Sequence, residues 1–566
     1  MLLRWPCAWL ALALALPTPA RAARAEPVAA KRGMVVSENA VASRIGLEAL
    51  RDGGTAMDAV VAAAFALAVA HPRAGNIGGG GFLLYRPAEG EAVVYDFREV
   101  APAAASPTMF LRDGVYDRAL HHDSLLAVGV PGSVAGLHMA WREHGKLPWP
   151  RIVSPAIVLA RDGFVVSQGL ARDLEKVLPD LARSPASLAQ FSRKGVAYQP
   201  GERLRQPDLA RTLGRIAAQG PKGFYAGETA RLIEEEMRAG GGLVTRQDLA
   251  AYRPRKRDPL RGSYRGVEVL TVPPASSGGA TLLQTLNVLE GYDLAASGFG
   301  SAANVHRIAE AMRRAFADRA RHLGDPERNA AMPIDRLISK EYAAGQRRSI
   351  REDQASRSSP DSFEWPAEGE QTTHLSVVDE ARNAAALTTT LEDSYGSKVT
   401  VRGAGFLLNN EMGDFNAGPG LTNADGLIGT EPNLALPGTR MLSSMAPTIL
   451  ARDGAPYLVL GSPGGRKIPN AVLLVLLNVV DFGMNVQQAV DAPRFHHQWL
   501  PDRILHEPWG LSPDTRALLQ ARGHVLSDAW PADSPTAVET LLYDARQGRI
   551  EAGIDRRAPD AAAAGR

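Results

Sequence analysis

The sequence predicts an α+β chain in which strand-rich groups are sandwiched between helical layers. Three observations predict it. Residues 131–330 carry mostly helical patterns, and past residue 372 the texture changes to short strands in quick succession. Between them in kind, AMDAVVAAAFALAVAHP is apolar on every face yet too short to span a bilayer, which marks a helix packed inside a core. At 566 residues the composition is that of an ordinary globular protein with room for a large core. The 63 basic and 61 acidic residues leave a net charge of +2, with no long basic run, so neither nucleic acid nor an anionic membrane is an expected partner.

Residues 1–25 read as a secretory signal: Arg4, an apolar stretch from Trp5 to Leu16, then small-residue cleavage sites after Ala22 or Ala25. The expected location is periplasmic or secreted, with no membrane anchor once the signal is removed. Cys7, the single cysteine, lies in that segment, so disulfides and thiolate chemistry are excluded from the mature chain. GMVVS then predicts a strand and Asn39–Leu50 an amphipathic helix ended by Gly53 and Gly54. GNIGGGGFLLYRPAEGEAVVYDFREV gives a glycine turn and two strands. No lysine follows the glycines and a strand comes next, so the run reads as close backbone packing rather than a phosphate loop.

Helices are predicted in PGSVAGLHMAWREHG, ETARLIEEEMRAGGG and SAANVHRIAEAMRRAFADRARHLGD, with SYRGVEVLTV as the strand-like interruption. PPASSGGATLLQTLNVLE runs from a loop into a helix. The polar run RSIREDQASRSSPDSFEWPAEGEQ lacks periodic apolar residues and is expected to be mobile. It turns without a spacer into TTHLSVVD, whose alternation sets Thr373, Leu375 and Val377 on one side and His374, Ser376 and Val378 on the other. AAALTTTLE, GFLLNNE, MLSSMAPTILAR, PYLVLGSPGG and TAVETLLY read as further strands. Helices are expected at about 468–482, 486–491 and 515–522, and the tail APDAAAAGR should be loose.

A threonine heading a buried strand after a polar run suits a chain that cuts itself and uses the new terminus. A free α-amine titrates near neutral pH and can serve as base for the neighbouring hydroxyl; inside a continuous chain it is an amide and cannot. Spacing does not choose between Thr372 and Thr373. In GSPGG the amides of Gly464 and Gly465 are able to converge on a developing oxyanion, and Ser443 and Ser444 offer two hydroxyls at a pocket edge. HHD at His121 to Asp123 and FHHQW at Phe495 to Trp499 read as structural, since adjacent histidines point apart; no metal or cofactor is expected.

Ten motifs in order, AGNIGGGGF, DFRE, VPGSVAG, ARDGF, PPASSGG, TTHLSVVD, LLNNEMGDF, LSSMAPT, GSPGG and APRFHHQWLPD, make the chain resemble the γ-glutamyltranspeptidases, members of the N-terminal nucleophile hydrolases. The resemblance implies an αββα sandwich of two stacked, mainly antiparallel sheets between helical layers. It also implies a proenzyme cut at Gln371-Thr372, which selects Thr372 as nucleophile. Residues 26–371 would form the large subunit and 372–566 the small one, a heterodimer of the chain's own fragments built as one unit. The implied substrate is a γ-glutamyl donor such as glutathione, with water or an amino acid or peptide as acceptor. Arg98 matches the group that grips the donor α-carboxylate, Asp414 and Glu411 those that meet its ammonium, and Ser443 and Ser444 carboxylate-binding hydroxyls. Gly464 and Gly465 match the oxyanion hole, and Thr390 the threonine that orients the nucleophile.

Three positions depart from the best-known members. Glu392 stands where they carry an asparagine that binds the donor amine and gates with a lid tyrosine; Asp425 falls at that tyrosine's place, and Gly413 where many have a second aspartate. Glu392 still suits an ammonium, but two carboxylates repel and cannot gate. The expected site is more open and wetter, favouring hydrolysis. Relatives with glutamate here resemble acylases of glutaryl β-lactams, so glutaryl amides or poly-γ-glutamate are the alternative substrates; an uncleaved binding protein of the same fold is the reading of a different class.

Overall fold

The alternating segments close into two antiparallel sheets of seven strands each. The computed structural model describes residues 25–359, 371–421, 430–531 and 536–566. Residues 1–24 of the predicted signal, residues 360–370 of the polar run and Asp425 lie outside the described residues. In chain order the sheet strands are β1 (Val28–Ala30), β2 (Met34–Ser37), β3 (Gly80–Arg86), β4 (Val93–Asp96), β5 (Arg255–Arg257), β6 (Leu260–Tyr264) and β7 (Val267–Thr271). They continue as β8 (Gln371–Val378), β9 (Ala384–Glu392), β10 (Thr448–Arg452), β11 (Ala455–Gly461), β12 (Glu539–Asp544), β13 (Arg549–Gly553) and β14 (Ala562–Gly565). The first sheet runs β5-β4-β3-β9-β8-β2-β14 and the second β1-β13-β12-β11-β10-β7-β6.

Helix α1 (Ala40–Arg51) starts at Asn39, whose side chain accepts from Val41 and Ala42 amides. Helix α2 (Ala56–Ala70) opens on a reciprocal cap between Thr55 and Asp58 and is buried along its whole length, as its all-round apolar face requires. The period-two alternation of β8 decides the layering. Leu375 and Val377 join α2 in one core, with Leu83 and Leu387 beside them. On the opposite face Val378, Ala386, Phe82 and Leu84 meet the second sheet and helices α3 (Gly278–Leu289), α4 (Ala302–His322) and α5 (Ile468–Val480). His374 and Ser376 also point between the sheets, where the Ser376 hydroxyl donates to the Glu539 carbonyl oxygen at 2.9 Å. Each fully buried Leu, Val or Phe in these layers contributes about 1.5–3 kcal/mol.

The glycine run is close packing, as expected: a Cβ on Gly79 would strike the Thr390 carbonyl oxygen and one on Gly81 that of Thr388. Five expectations change. SYRGVEVLTV is a hairpin rather than one strand, because Arg265 and Gly266 take positive φ and turn β6 into β7. GFLLNNE makes only an isolated bridge, Thr400 to Leu407, and leads into a 3-10 turn, Glu411–Asp414, while MLSSMAPTILAR is extended sheet only from Thr448. The tail is not loose: β14 pairs with β2, since the otherwise open edge of β2 supplies backbone partners to its small alanines. The start of the polar run is also tied down, with the Ser356 and Ser358 amides donating to the carboxylates of Glu310 and Asp502.

Glu38 follows β2 and is buried, with its carboxylate accepting the His374 amide. Burial pushes its carboxyl up to about 8, against the opposing pull of Arg73. The folded value lies above the ordinary 4.5, so the fold favours the neutral form and loses stability as pH climbs from about 4.5 through about 8. Glu38→Gln removes that titration. Its melting temperature should gain on the wild type across this window, and a difference that stays constant with pH would refute the assignment.

Candidate active site

Thr372 stands at the head of β8 at a register shift. Thr373 pairs with Thr389 and Gln371 with Glu392, so Thr372 alone faces two residues, Thr390 and Leu391. Such a bulge re-aims a side chain. Here Thr372 and Thr390 line one cavity, while Leu391 goes to the core. The Thr390 hydroxyl accepts the Glu392 amide at 2.8 Å, so any bond its own proton makes runs to a different oxygen. Glu392 ends β9 with φ +81°, a conformation that is costly for a residue with a side chain and is held here by that amide bond.

Arg98, fully buried just past β4, reaches the cavity from the opposite wall. Its backbone is clamped by the Asp96 carboxylate, which accepts its amide at 3.0 Å, and by the Tyr252 hydroxyl, which donates to its carbonyl at 3.0 Å. Nε donates to the Met441 carbonyl, and the two terminal nitrogens pair with Glu411 and Asp414 on the 3-10 turn. Burial alone would lower the Arg98 pKa; Glu411, then Asp414 and Glu99, outweigh it and hold the guanidinium charged. Burial pushes the Glu411 carboxyl well up, Arg98 pulls it back, and Glu99 and Glu392 raise it again. Glu99, Glu411 and Asp414 surround one guanidinium, and burial pushes Glu99 up as it does Glu411, so the cluster keeps a proton near neutral pH. Glu411 Oε2 meets no hydrogen-bond partner among the described residues.

Ser443 and Ser444 close a third side, on the approach to β10. They rest on the PPASSGG loop: the Ser277 amide and hydroxyl both donate to the Ser443 carbonyl, and the Ser443 amide donates to Ala275. Behind them Arg319 of α4 donates to the hydroxyls of Ser277 and Ser444. A guanidinium only donates, so Ser444 Oγ accepts there and its own proton is directed elsewhere. Gly464 and Gly465 turn β11 into α5, with φ of +123° and +54°. Gly465 lines the cavity with Met445 and Ile468, which form its apolar floor.

The structure therefore brings Arg98, Thr372, Thr390, Glu392, Glu411, Asp414, Ser443, Ser444 and Gly465 to one cavity, with Gly464 next in chain. Gln371 is the residue before Thr372 in β8. Arg319, Met445 and Ile468 were not singled out in the sequence. Arg319 is one of several polar residues buried on α4, with Asn304, His306, Glu310, Arg313 and Asp318, so nothing in the sequence singled it out. His122 was read as structural and is not remote: its Nδ1 lies 3.7 Å from Glu392 Oε1. Chemically the cavity offers a hydroxyl nucleophile, a cationic and hydroxylic wall for a carboxylate, and an acidic wall for an ammonium. Among the described residues no helix is long and apolar enough to cross a membrane.

Two antiparallel sheets between helical layers, with a threonine heading a central strand at such a cavity, define the N-terminal nucleophile hydrolase architecture. The profile of the family described as Gamma-glutamyltranspeptidase matches residues 42–565, and the chain belongs to that family. It is 46% identical over 520 residues to a glutathione hydrolase proenzyme of Pseudomonas sp. strain A14, covering 91% of this chain and 90% of the relative. It is likewise 46% identical over 505 residues to the glutathione hydrolase proenzyme of Escherichia coli K12, covering 88% and 86%. Among solved structures, a cephalosporin acylase from Bacillus halodurans superposes with a TM-score of 0.84 at 27% identity, covering 98% of this chain and 99% of that one.

A Cβ on Gly464 would come 2.8 Å from Thr536 Cγ2, on a backbone that L side chains rarely adopt. Gly464→Ala should cost about 1–3 kcal/mol, read as a lower melting temperature; an unchanged melt would show that the turn relaxes freely.

Proposed function

We propose that the chain is an exported, self-processing γ-glutamyl hydrolase and transpeptidase that acts on γ-glutamyl amides such as glutathione. The observation that carries this reading is the convergence of Thr372, Thr390 and Gly465 with Arg98, Glu411, Asp414, Ser443 and Ser444 on one cavity. Membership of the family and two proenzyme relatives at 46% identity support it.

Processing comes first. The Thr372 hydroxyl attacks the Gln371 carbonyl carbon, the acyl group moves from nitrogen to oxygen, and water hydrolyses the ester. Gln371 becomes a carboxylate and Thr372 gains a free α-amine. In catalysis that amine takes the hydroxyl proton as Thr372 Oγ attacks the donor's γ-carbonyl. The amides of Gly464 and Gly465 stabilise the oxyanion, Thr390 holds the nucleophile's direction, and the leaving amine takes the proton. Water or an acceptor amine then releases the γ-glutamyl group from the Thr372 ester.

The donor's head carries an α-carboxylate and an α-ammonium side by side. Arg98 and the Ser443 and Ser444 hydroxyls serve the carboxylate; Glu411, Asp414 and Glu392 serve the ammonium. Arg319 sets the Ser444 hydroxyl for this task. By sequence the lid position is Asp425, and two carboxylates cannot gate the pocket together, which favours water as acceptor. The second reading, a glutaryl-type acylase, rests on Glu392 and on the likeness to the cephalosporin acylase; a glutaryl group lacks the ammonium that this acidic wall favours.

A denaturing gel of the purified protein should show two bands, the smaller beginning Thr-Thr-His, and Thr372→Ala should run as one inactive chain. A wild type that stays whole refutes the mechanism. Arg98→Lys keeps the charge but loses the planar fork, and its KM for a γ-glutamyl anilide should rise about tenfold or more. A glutaryl anilide turned over better than the γ-glutamyl one would favour the acylase reading.

A further inference from the structure

The HHD segment lies against the acidic wall rather than away from it. His121 donates from Nε2 to the Met412 carbonyl at 3.1 Å, which fixes the Glu411–Asp414 turn, while its Nδ1 faces the Tyr116 hydroxyl. His122 is buried beside it, and its Nδ1 stands 3.7 Å from Glu392 Oε1. Asn410 bolts the two segments together: Nδ2 donates to the His122 carbonyl and the Asp393 carboxylate, and Oδ1 accepts the Asp393 amide. Gly413 occupies the narrow space between ring and carboxylate. A Cβ there would come 2.6 Å from His122 Nδ1 and 3.3 Å from Glu392 Oε1.

From this geometry we infer that His122 is a positioning residue for donor specificity: its imidazole holds the Glu392 carboxylate against the donor's ammonium, in a gap that only glycine at 413 leaves open. The inference rests on the γ-glutamyl reading above. His122 does not line the cavity, so it acts through Glu392 and not on the substrate. Burial keeps the ring mostly neutral, against the opposing pull of Asp393, so at 3.7 Å it confines the carboxylate by packing and is no competing cation beside the ammonium. The φ of +81° at Glu392 gives this restraint its purpose, because a glutamate at a strained strand end has several rotamers to choose from.

The test measures kcat and KM for a γ-glutamyl anilide, with glutarate as a competitive inhibitor lacking the ammonium, on wild type, His122→Ala, His122→Asn and Gly413→Ala. Two-band processing and a melting curve report folding for each variant. In His122→Ala and Gly413→Ala, KM should rise about threefold or more as Glu392 loses the ring that confines it, with kcat and glutarate inhibition little changed. His122→Asn, whose amide refills part of the ring's place beside Glu392, should recover part of the loss. The inference is overturned if KM stays put, if kcat falls in step with it, if glutarate inhibition shifts in parallel, or if Asn behaves like Ala. A wild type that does not turn over the γ-glutamyl anilide would instead overturn the functional reading on which the inference stands.

Discussion

Every part of the site is referred to the ladder between β8 and β9. This pairing runs from Val378 and Ala384 up to the shift at Thr372, and β8 is paired again with β2 on its other edge. A strand held on both sides would keep its place if the bond at its head were cut, because its pairing with β2 and its Leu375 and Val377 contacts do not depend on residue 371. The same ladder, through one extra residue on β9, puts Thr390 across from Thr372 and leaves Glu392 at a sharp strand end. Displacing the register by one residue would turn each of these side chains to the wrong face.

The charges then distribute themselves by burial. Arg98 is the guanidinium at the centre of the carboxyl groups of Glu99, Glu411 and Asp414, with Glu392 near Glu411. Such a cluster is poor stabilisation by itself, since removing ions from water offsets much of their attraction. Its arrangement is complementary to a head group bearing both signs, which would bring one more cation to the carboxylates and one more anion to Arg98 and the serines. The departures at Glu392 and Gly413 belong together physically: the carboxylate at 392 and the ring of His122 need the volume that a side chain at 413 would take.

Much of this was legible in the chain itself. The amphipathic helix that begins at Asn39, the all-buried α2, the alternation of β8 and the glycine packing of β3 follow from local pattern, and each was found as read. The pattern misled where long-range pairing decides. APDAAAAGR looks like a frayed end until β2 offers it an edge, and GFLLNNE has a strand's composition but pairs only irregularly, with residues 397–401. The first residues of the polar run are apolar-poor, yet Glu310 and Asp502 anchor their amides. His122 is the plainest case: adjacent histidines on a local turn carry no sign of which carboxylate they will face.

By itself, the sequence determined the order of motifs, the layered α+β plan and the chemical need for a terminal threonine, because residue type and period are properties of the chain. Only the tertiary structure decided what stands next to what. The bulge opposite Thr372, the capture of Arg98 by Glu411 and Asp414, the bracing of Ser444 by Arg319 and the gap at Gly413 all join segments far apart in sequence. Their geometry depends on sheet register and helix packing, which no local pattern encodes.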